Sequence, residues 1–291
     1  MKESLILRFL YETMPGRMAL KLLVCPGISR MAGDFLSSGA SRCLVPYYIR
    51  KHKISMKDVE VPPGGFPSFN AFFTRKRKRE QGVFSEGCLL SPCDGLLSRV
   101  EIGEDTVFRI KNTEFSLKDL LKDDGLAARF QDGTAFIFRL TPADYHHYCY
   151  AASGRLLSGR KIPGKLHCVR PVALRNTPVF VQNSRAYQVM ETDAFGTLVQ
   201  MEVGALLVGK IKNDSRRGKG DCVHAGEEKG HFEFGGSTIL LLAGKGAVHF
   251  RSVLYERQIA SEEMPVRMGE VIGSAGMKGI AEEYLWKKEN G

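Results

Sequence analysis

The sequence lacks the features that define several large classes of protein. Its seven cysteines form no Cys-x-x-Cys pair, and an odd number in a chain of 291 residues argues against a disulfide framework. Histidine and cysteine also lack the spacing of a structural zinc site, so we expect no bound metal. No stretch reaches the roughly 20 apolar residues that a membrane-spanning helix needs. No nucleic-acid-binding motif is present, so the net charge of +10 needs another explanation.

The positive charge is concentrated near the N-terminus. Residues 1–80 contain 15 lysines and arginines against 6 acidic residues, whereas residues 237–291 contain 7 of each. The same N-terminal region carries short apolar runs at 5–10 and 20–24. Basic side chains on apolar helices are typical of a surface that lies on anionic lipid. The alternative is that these are amphipathic helices packed on the protein's own core.

The pattern of apolar runs predicts a helical N-terminal region followed by a mainly β body. Prolines and glycines divide residues 1–60 into short helical segments. We therefore expect an α+β fold, with membrane-contacting helices at 1–60 and a β-rich domain of antiparallel strands at 61–291. The predicted strands are short apolar runs bounded by turn-forming residues, at 96–100, 135–140, 179–181, 197–203, 205–211 and 238–243.

One helix is predicted within the β body. It covers residues 115–129, with Ser116 as its N-cap and Gly125 at its end. The sequence pattern changes from helical segments to short β-strands, which places the boundary between the two regions at residues 60–85.

A Gly-Gly-Ser-Thr turn stands directly before the apolar run at 238–243. The glycines, Gly235 and Gly236, permit backbone conformations that other residues resist. The hydroxyl of Ser237 can therefore swing back onto the preceding carbonyl and replace the amide by an ester. Loss of the serine α-proton would then release the upstream chain and leave a dehydroalanine, which hydrolyses to a pyruvoyl group and ammonia. A lipase-type nucleophile elbow is disfavoured, since it needs glycine where Ile239 stands.

Two further motifs contain residues suited to proton transfer. His146 and His147 follow the apolar run at 135–140, and imidazole is an effective base near neutral pH. Asp94 lies in a turn bounded by proline and glycine, where it could orient a histidine as in a catalytic triad. The structural alternatives are an incidental histidine pair and an aspartate that caps a turn.

These motifs occur in the order typical of one enzyme family. In these motifs and their order the chain resembles the phosphatidylserine decarboxylase proenzymes, and more closely the branch whose cleavage motif reads Gly-Gly-Ser-Thr. The likeness spans roughly residues 60–275. Besides the cleavage motif, the blocks that carry it are Phe-Asn-Ala-Phe-Phe-Thr-Arg at 69–75, Ser-Pro-Cys-Asp-Gly at 91–95, Asp-Tyr-His at 144–146, Asn-Ser-Arg at 183–185, Glu-Val-Gly-Ala at 202–205 and the Gly-Glu strand at 266–273.

The resemblance implies a self-processed lyase of phospholipid biosynthesis. Cleavage between Gly236 and Ser237 would give a β chain, 1–236, and an α chain, 237–291, which together form a heterodimer that could assemble further. Ser237 would become a covalent pyruvoyl cofactor, and no metal or pyridoxal phosphate would be required. The enzyme would convert phosphatidylserine to phosphatidylethanolamine and carbon dioxide.

The resemblance also implies roles for individual residues. Asp94 and one of the histidines would activate the serine. Many family members have a second histidine where this chain has Cys149, so either His146 performs both base duties or His147 replaces the missing residue. Cys149 would be a core thiol or, alternatively, a catalytic one. Ser184 stands in place of the glutamate of the family's Asn-Glu-Arg element, and the role of that element here is open.

Asn70, Phe73 and Arg75 are the candidates for substrate binding. They could position a phosphate and an anionic headgroup against apolar side chains. The alternative is a solvated basic face at 75–79 beside two core aromatic residues.

We expect the protein to bind peripherally to the cytoplasmic face of a cell membrane, namely a bacterial inner membrane. Its expected partners are phosphatidylserine and the anionic membrane surface, and we expect it to bind no nucleic acid. Two other functions remain open. One is a pyruvoyl enzyme of the same family that acts on a free amino acid and needs no basic, apolar N-terminus. The other is a non-catalytic membrane-binding β module that has lost processing.

Overall fold

The N-terminal region of the protein is helical, as predicted. The computed structural model describes residues 5–24, 26–78, 87–110, 113–169, 171–205, 210–234, 237–251 and 263–276. Pro26 opens the third helix, where a missing backbone N–H removes no helical hydrogen bond. The helices of this region are α1 (Leu5–Glu12), α2 (Met14–Leu23), α3 (Pro26–Ser37), α4 (Leu44–His52) and α5 (Phe69–Phe73), with a 3-10 helix at Gly39–Cys43.

The rest of the described chain is rich in β-strands. These are β1 (Cys88–Leu90), β2 (Gly95–Glu101), β3 (Val107–Ile110), β4 (Thr113–Ser116), β5 (Thr134–Leu140), β6 (His147–Cys149), β7 (Gly154–Ile162), β8 (Arg185–Thr192), β9 (Gly196–Gly204), β10 (Ile211–Asn213), β11 (Cys222–Val223), β12 (Glu228–Phe232), β13 (Ser237–Ala243), β14 (Val248–Phe250), β15 (Met264–Val266) and β16 (Val271–Ala275). Short helices lie between them: α6 (Leu117–Leu121), α7 (Asp124–Ala128), α8 (Pro171–Asn176) and α9 (Val179–Gln182).

Antiparallel pairing joins all of these strands into four sheets, which confirms the predicted α+β fold with a mainly antiparallel body. The largest sheet has eight strands in the order β11-β7-β8-β9-β13-β5-β2-β15. Two three-stranded sheets, β1-β16-β14 and β10-β12-β6, and a two-stranded sheet of β3 and β4 complete the described body. The predicted strands at 96–100, 135–140, 197–203 and 238–243 correspond to β2, β5, β9 and β13.

Strand β13 is the central strand of the large sheet and is buried along its whole length. Leu240 and Leu242 belong to one hydrophobic core cluster, whereas Ile239 and Leu241 belong to a second cluster on the opposite face. A strand covered on both faces needs a continuous apolar sequence, which explains the unbroken run in this segment. Ser237, at the start of the strand, is therefore buried by the architecture of the sheet.

Two predicted strands differ from the structure. The run at 179–181 is helical, because the backbone N–H of Asn183 donates to the carbonyl of Val179 at 2.8 Å and closes a helical turn. Three apolar residues contain too little periodicity to distinguish a strand from a helix. The strand predicted at 205–211 lies partly outside the described residues, and Ile211 begins β10.

The helix predicted at 115–129 is two helices. Ser116 caps α6 as predicted, with its hydroxyl accepting a backbone N–H of the first turn. The helix then stops at Lys122, which adopts a left-handed conformation with φ of 53°, and Asp123 caps α7. Gly125 therefore lies inside a helix instead of ending one. A local Asp cap is stronger than the glycine signal that sequence reasoning favoured.

Helices α1 and α2 pack one face on the β body. Leu10, Tyr11, Leu20 and Val24 are buried in the core cluster that also contains residues of β9 and β13. The chain division at residue 60 stays a prediction. Among the described residues, no helix combines the length and the apolar character needed to cross a bilayer. Helices α1 to α3 also expose large apolar side chains, namely Leu5, Ile6, Phe9, Met14, Met18, Ile28, Met31 and Phe35.

Candidate active site

Ser237, the predicted nucleophile, is the first residue of β13 and is completely buried. Its backbone pairs with Gly204 of β9 on one side and with Leu140 of β5 on the other. No described atom forms a hydrogen bond with its Oγ. Such an atom calls for an explanation, because folded proteins provide partners for most buried polar side-chain atoms. Gly236, and with it the predicted scissile bond, lies outside the described residues.

Asp94 precedes β2 and is held by two donors. Its Oδ2 accepts a hydrogen bond from the guanidinium of Arg77 at 2.6 Å, and its Oδ1 accepts one from the backbone N–H of Met268 at 3.0 Å. The neighbouring Gly95 approaches β5 so closely that a Cβ would stand 2.8 Å from a backbone oxygen. Within the described residues, the carboxylate bonds to these donors and not to a histidine, so the triad-like hydrogen bond suggested by the sequence is not formed.

His146 lies in the turn between β5 and β6 and is fully buried. Its Nδ1 is 2.9 Å from the backbone oxygen of Asp144, and because a carbonyl only accepts, Nδ1 carries the hydrogen and Nε2 bears the lone pair. Nε2 has no hydrogen-bond partner in the described part of the chain. The ring contacts Phe73, with centroids 4.1 Å apart. Burial above all, with Arg75 adding to it, lowers the pKa of His146 to about 3, so the imidazole is neutral at physiological pH.

His147 occupies a different environment although it is the next residue. Its Nδ1 lies 2.6 Å from Oε1 of Glu228, and its Nε2 lies 3.0 Å from the backbone oxygen of Thr74. The ring also stacks between Tyr145 and His231, at centroid distances of 4.7 and 4.9 Å. Both ring nitrogens are therefore engaged, and of the two alternatives left open by the sequence, the geometry favours His146 as the base.

Several connections bring Asp94, His146 and Ser237 to the same end of the large sheet. Leu140, which pairs with Ser237, is six residues before His146 in the chain. The backbone oxygen of His146 accepts a hydrogen bond from the N–H of Phe232 at 2.9 Å, five residues before Ser237. The charge of Asp94 acts on His146, where it opposes the lowering of the histidine pKa. The three predicted residues thus share one buried region.

Cys149 is buried on β6, close to the Asp94 turn. Its backbone N–H donates to the carbonyl of Pro92 at 2.9 Å, and its Sγ lies 3.9 Å from the backbone oxygen of Ser91. The adjacent Cys93 is also buried, and burial raises the pKa of its thiol well above the usual value, so it is protonated at neutral pH. This environment fits a structural role for Cys149, the first of the two roles left open by the sequence.

Two of the candidate substrate-binding residues on and after α5 contact Phe234, which lies three residues before Ser237. Asn70 accepts a hydrogen bond from the backbone N–H of Phe234 at 3.3 Å, and the rings of Phe73 and Phe234 are 5.0 Å apart. Arg75 is only 4% exposed, and its guanidinium carbon lies 5.0 Å from the centroid of the Phe72 ring. Arg75 is therefore not part of a solvated basic face, because the aromatic cluster covers it.

The sequence pattern did not predict a buried ion pair between Lys229 and Glu202, which lies near Ser237 in the sheet. Lys229 and Glu202 are completely buried, and Lys229 Nζ lies 2.7 Å from both carboxylate oxygens. Asn213 donates a further hydrogen bond to Glu202 at 3.0 Å. Burial lowers the pKa of Lys229, and the carboxylate opposes this shift. Glu202 is two residues before the position that pairs with Ser237. The available signal was one acidic residue inside the apolar run at 197–203.

The chain is similar in sequence to known proteins over most of its length. A family model described as phosphatidylserine decarboxylase matches residues 69–274. Phosphatidylserine decarboxylase proenzyme 2 of Clostridium acetobutylicum is 39% identical over 270 residues, which cover 92% of this chain and 91% of the relative. The proenzyme of Ruminiclostridium cellulolyticum is 40% identical over 274 residues, with coverage of 92% and 91%. That of Chlamydia muridarum is 36% identical over 276 residues, with coverage of 93% and 91%. The chain belongs to the phosphatidylserine decarboxylase family.

Proposed function

We propose that this chain cuts itself between Gly236 and Ser237 and then decarboxylates phosphatidylserine to phosphatidylethanolamine and carbon dioxide. The observation that carries the proposal is the occurrence of two buried polar atoms without described partners, Ser237 Oγ and His146 Nε2, at the same end of the sheet. The reaction and the substrate come from the family, whose relatives are named as phosphatidylserine decarboxylase proenzymes.

Self-cleavage uses the hydroxyl of Ser237 as nucleophile. His146 Nε2 accepts the hydroxyl proton while Oγ attacks the carbonyl carbon of Gly236, and the amide becomes an ester. Removal of the α-proton of Ser237 then expels the Gly236 carboxylate and leaves dehydroalanine. Its imine tautomer takes up water, releases ammonia and becomes the pyruvoyl group. A neutral His146 is the form that this step needs, since only its unprotonated Nε2 can accept a proton.

Asp94 supports His146 through charge. A carboxylate near the ring favours the imidazolium that forms when Nε2 takes the proton. Arg77 and the backbone of Met268 fix the position of the carboxylate. Asp94 is therefore a positioning and electrostatic residue in this proposal.

A pyruvoyl group at residue 237 fits the surroundings, because the Oγ from which it derives has no competing partner among the described residues. The group supplies an electron-withdrawing carbonyl that stabilises the negative charge left by departing carbon dioxide. In this proposal His146 Nε2 holds or returns a proton, and the Phe73 ring packed on His146 helps to exclude water. Asn70 positions the chain before Ser237 through its bond to Phe234.

The two products of cleavage should remain together without a covalent link. All seven residues of β13 pair with β5 on one side and with β9 on the other. These hydrogen bonds and the two core clusters would hold the short chain, 237–291, in the sheet as a heterodimer with the long chain, 1–236.

The helical N-terminal region is suited to peripheral contact with the cytoplasmic face of a cell membrane. Leu5, Met14 and Met18 are 80%, 73% and 71% exposed, and α1 to α3 carry further exposed apolar side chains. If these side chains form one contiguous patch, it is suited to an interaction surface. The excess of basic residues in the same region favours an anionic lipid surface.

The mass of the short chain tests self-cleavage directly. Residues 237–291 should appear as a band near 6 kDa, in proportion to 32.3 kDa for the whole chain. Its N-terminus should be lighter by one ammonia than a serine terminus. Ser237→Ala should leave only the intact chain and no activity, whereas Cys149→Ala should still cleave. An uncut wild-type protein would refute the enzymatic proposal and leave the non-catalytic membrane module.

Substrate identity needs a separate assay. Carbon dioxide release should occur from dispersed phosphatidylserine and not from free serine or tryptophan. Release from a free amino acid, with none from the lipid, would favour the alternative member of the family.

A further inference from the structure

A cavity of about 270 Å³ lies between α1 and α2 on one side and the segments around α8 and α9 on the other. Arg17 and Lys21 line it from α2, and Lys165 lines it from the β body. No acidic side chain is among its described lining residues, and none of these three cations forms an ion pair with a described carboxylate. Three uncompensated positive charges around one cavity favour an anionic ligand.

His167 adds a buried hydrogen-bond donor to the cavity wall. The residue is only 7% exposed, and its Nε2 has no partner among the described residues. Its Nδ1 faces the hydroxyl of Tyr11 at 3.5 Å. That hydroxyl accepts from the backbone N–H of Cys168 at 2.9 Å, and burial raises the pKa of Tyr11, so the hydroxyl keeps a proton that it can donate to Nδ1. We therefore assign the ring hydrogen to Nε2, which then needs an acceptor.

The backbone of His167 is held by the side chain of Asn183. Asn183 accepts from its backbone N–H at 2.8 Å and donates to its backbone oxygen at 2.8 Å. Burial and the nearby Lys165 lower the pKa of His167, so the ring is a neutral donor at physiological pH. A fixed N–H donor beside three cationic side chains is suited to the oxygen atoms of a phosphate group.

The surface next to the cavity is apolar. Arg17 and Lys21 are four residues apart on α2, and so are Met14 and Met18, which form the adjacent row of the helix. Both methionines are more than 70% exposed. A ligand with a phosphate in the cavity and hydrocarbon chains on the methionine row would satisfy both surfaces.

The cavity is separate from the candidate active site. Tyr11 and Leu20, which line it, belong to the same core cluster as Leu240 and Leu242 of β13. The side chain of Ser237 alternates with these leucines and so lies on the other face of the sheet.

We propose that this cavity binds the phosphate group of an anionic phospholipid and docks the protein on the membrane in a defined orientation. The inference rests on the membrane contact proposed above and assigns to it a specific site. Free inorganic phosphate offers the same oxygen atoms, but it lacks the hydrocarbon chains that would cover the methionine row.

Vesicle binding by the uncut Ser237→Ala chain tests the site without any decarboxylation. The probe is phosphatidylcholine vesicles with and without phosphatidylglycerol, at constant ionic strength. Lys21→Gln/Lys165→Gln should weaken binding to the phosphatidylglycerol vesicles about 25-fold, at about fivefold for each cation. The control Arg50→Gln/Lys51→Gln removes the same charge from exposed positions on α4, outside the cavity, and should weaken binding less than about threefold. Equal losses in the two pairs would overturn the proposal.

A neutral substitution separates hydrogen bonding from charge. His167→Phe removes the Nε2 donor and should weaken binding about tenfold, the scale of one hydrogen bond to a charged group. His167→Gln restores a side-chain N–H and should recover most of the affinity. Unchanged binding by a folded His167→Phe chain would contradict the assigned donor, and the lysine pair still tests the site if this variant fails to fold.

Two further measurements identify the ligand. Inorganic phosphate should displace the chain from vesicles only weakly, and displacement at concentrations similar to those of the lipid would overturn the lipid assignment. Self-cleavage and the KM for short-chain, soluble phosphatidylserine should be unchanged by Lys21→Gln/Lys165→Gln in the wild-type chain. A raised KM with unchanged vesicle binding would make the cavity a substrate subsite and refute the docking role. Failure of the proposed enzymatic function would leave the phosphatidylglycerol result unaffected, so the two proposals can fail separately.

Discussion

The rate of self-cleavage should be almost independent of pH between 7 and 5, because the proposed base is already neutral across that range. With a pKa of about 3, about 99% of His146 is unprotonated at pH 5. A histidine with the ordinary pKa of about 6.5 would be about three-quarters unprotonated at pH 7 and about 3% at pH 5. Its titration would therefore slow the reaction about 25-fold, whereas the buried His146 should change the rate less than about twofold.

The same burial makes folding sensitive to acid. The unfolded chain binds a proton at His146 below pH 6.5, and the folded chain does so only near pH 3. This contribution to stability is therefore complete above pH 6.5 and is lost as the pH falls, at about 1.4 kcal/mol per pH unit. The loss at pH 5 is about 2 kcal/mol, which a domain of ordinary stability, about 5–15 kcal/mol, survives.

Pulse-labelled precursor from cell-free translation provides the assay. The precursor is moved into buffers from pH 5 to 8, and the ratio of intact to cleaved chain is followed on denaturing gels, with circular dichroism as the check on folding. Phe73→Ala is the matched control, since it exposes the His146 ring to water, raises its pKa and should restore a fall in rate towards pH 5. A 25-fold fall in folded wild-type protein would refute His146 as the buried base.

Three other substitutions test the surroundings of the site by urea unfolding of the uncut Ser237→Ala chain. Lys229→Met should lower the free energy of unfolding by about 3–5 kcal/mol because it leaves the buried carboxylate of Glu202 without its cation. The double variant Glu202→Met/Lys229→Met removes both charges and should lower it far less. Equal losses in the two variants would contradict this explanation. Asn183→Leu should cost about 2 kcal/mol or more, since three backbone groups lose their bonds. Arg185→Met should cost about 3 kcal/mol or more, because its buried guanidinium donates to four backbone carbonyls; a loss below 1 kcal/mol would contradict that role.

Much of the fold could be predicted from local sequence. The apolar runs that form β5, β9 and β13 are long enough for a whole buried strand. A continuous apolar run of this length is typical of a strand that is covered on both faces. Ser116 was identifiable as a cap because a cap depends on residues within one turn. The run at 179–181 was not identifiable, since its helical turn depends on a bond to Asn183 and on the elements packed around it.

The candidate site divides in the same way. The Gly-Gly-Ser-Thr turn, Asp94 and the histidine pair could be found from residue types and their order along the chain. The sequence could not separate His146 from His147, because adjacent residues point to opposite sides of the chain and meet different neighbours. Nor could it find Lys229 beside Glu202, since the two are 27 residues apart.

The sequence by itself determined the kinds of residue available: a serine after two glycines, two adjacent histidines, an aspartate in a turn, apolar strands and a basic N-terminal region. Tertiary structure alone decided which of these groups are buried and what faces them. Burial is set by contacts between distant segments, and it controls protonation and hydrogen bonding. That is why Arg75, which is part of a charged run in the sequence, lies against an aromatic ring. It is also why His146, unlike the adjacent His147, has a ring nitrogen without a described hydrogen-bond partner.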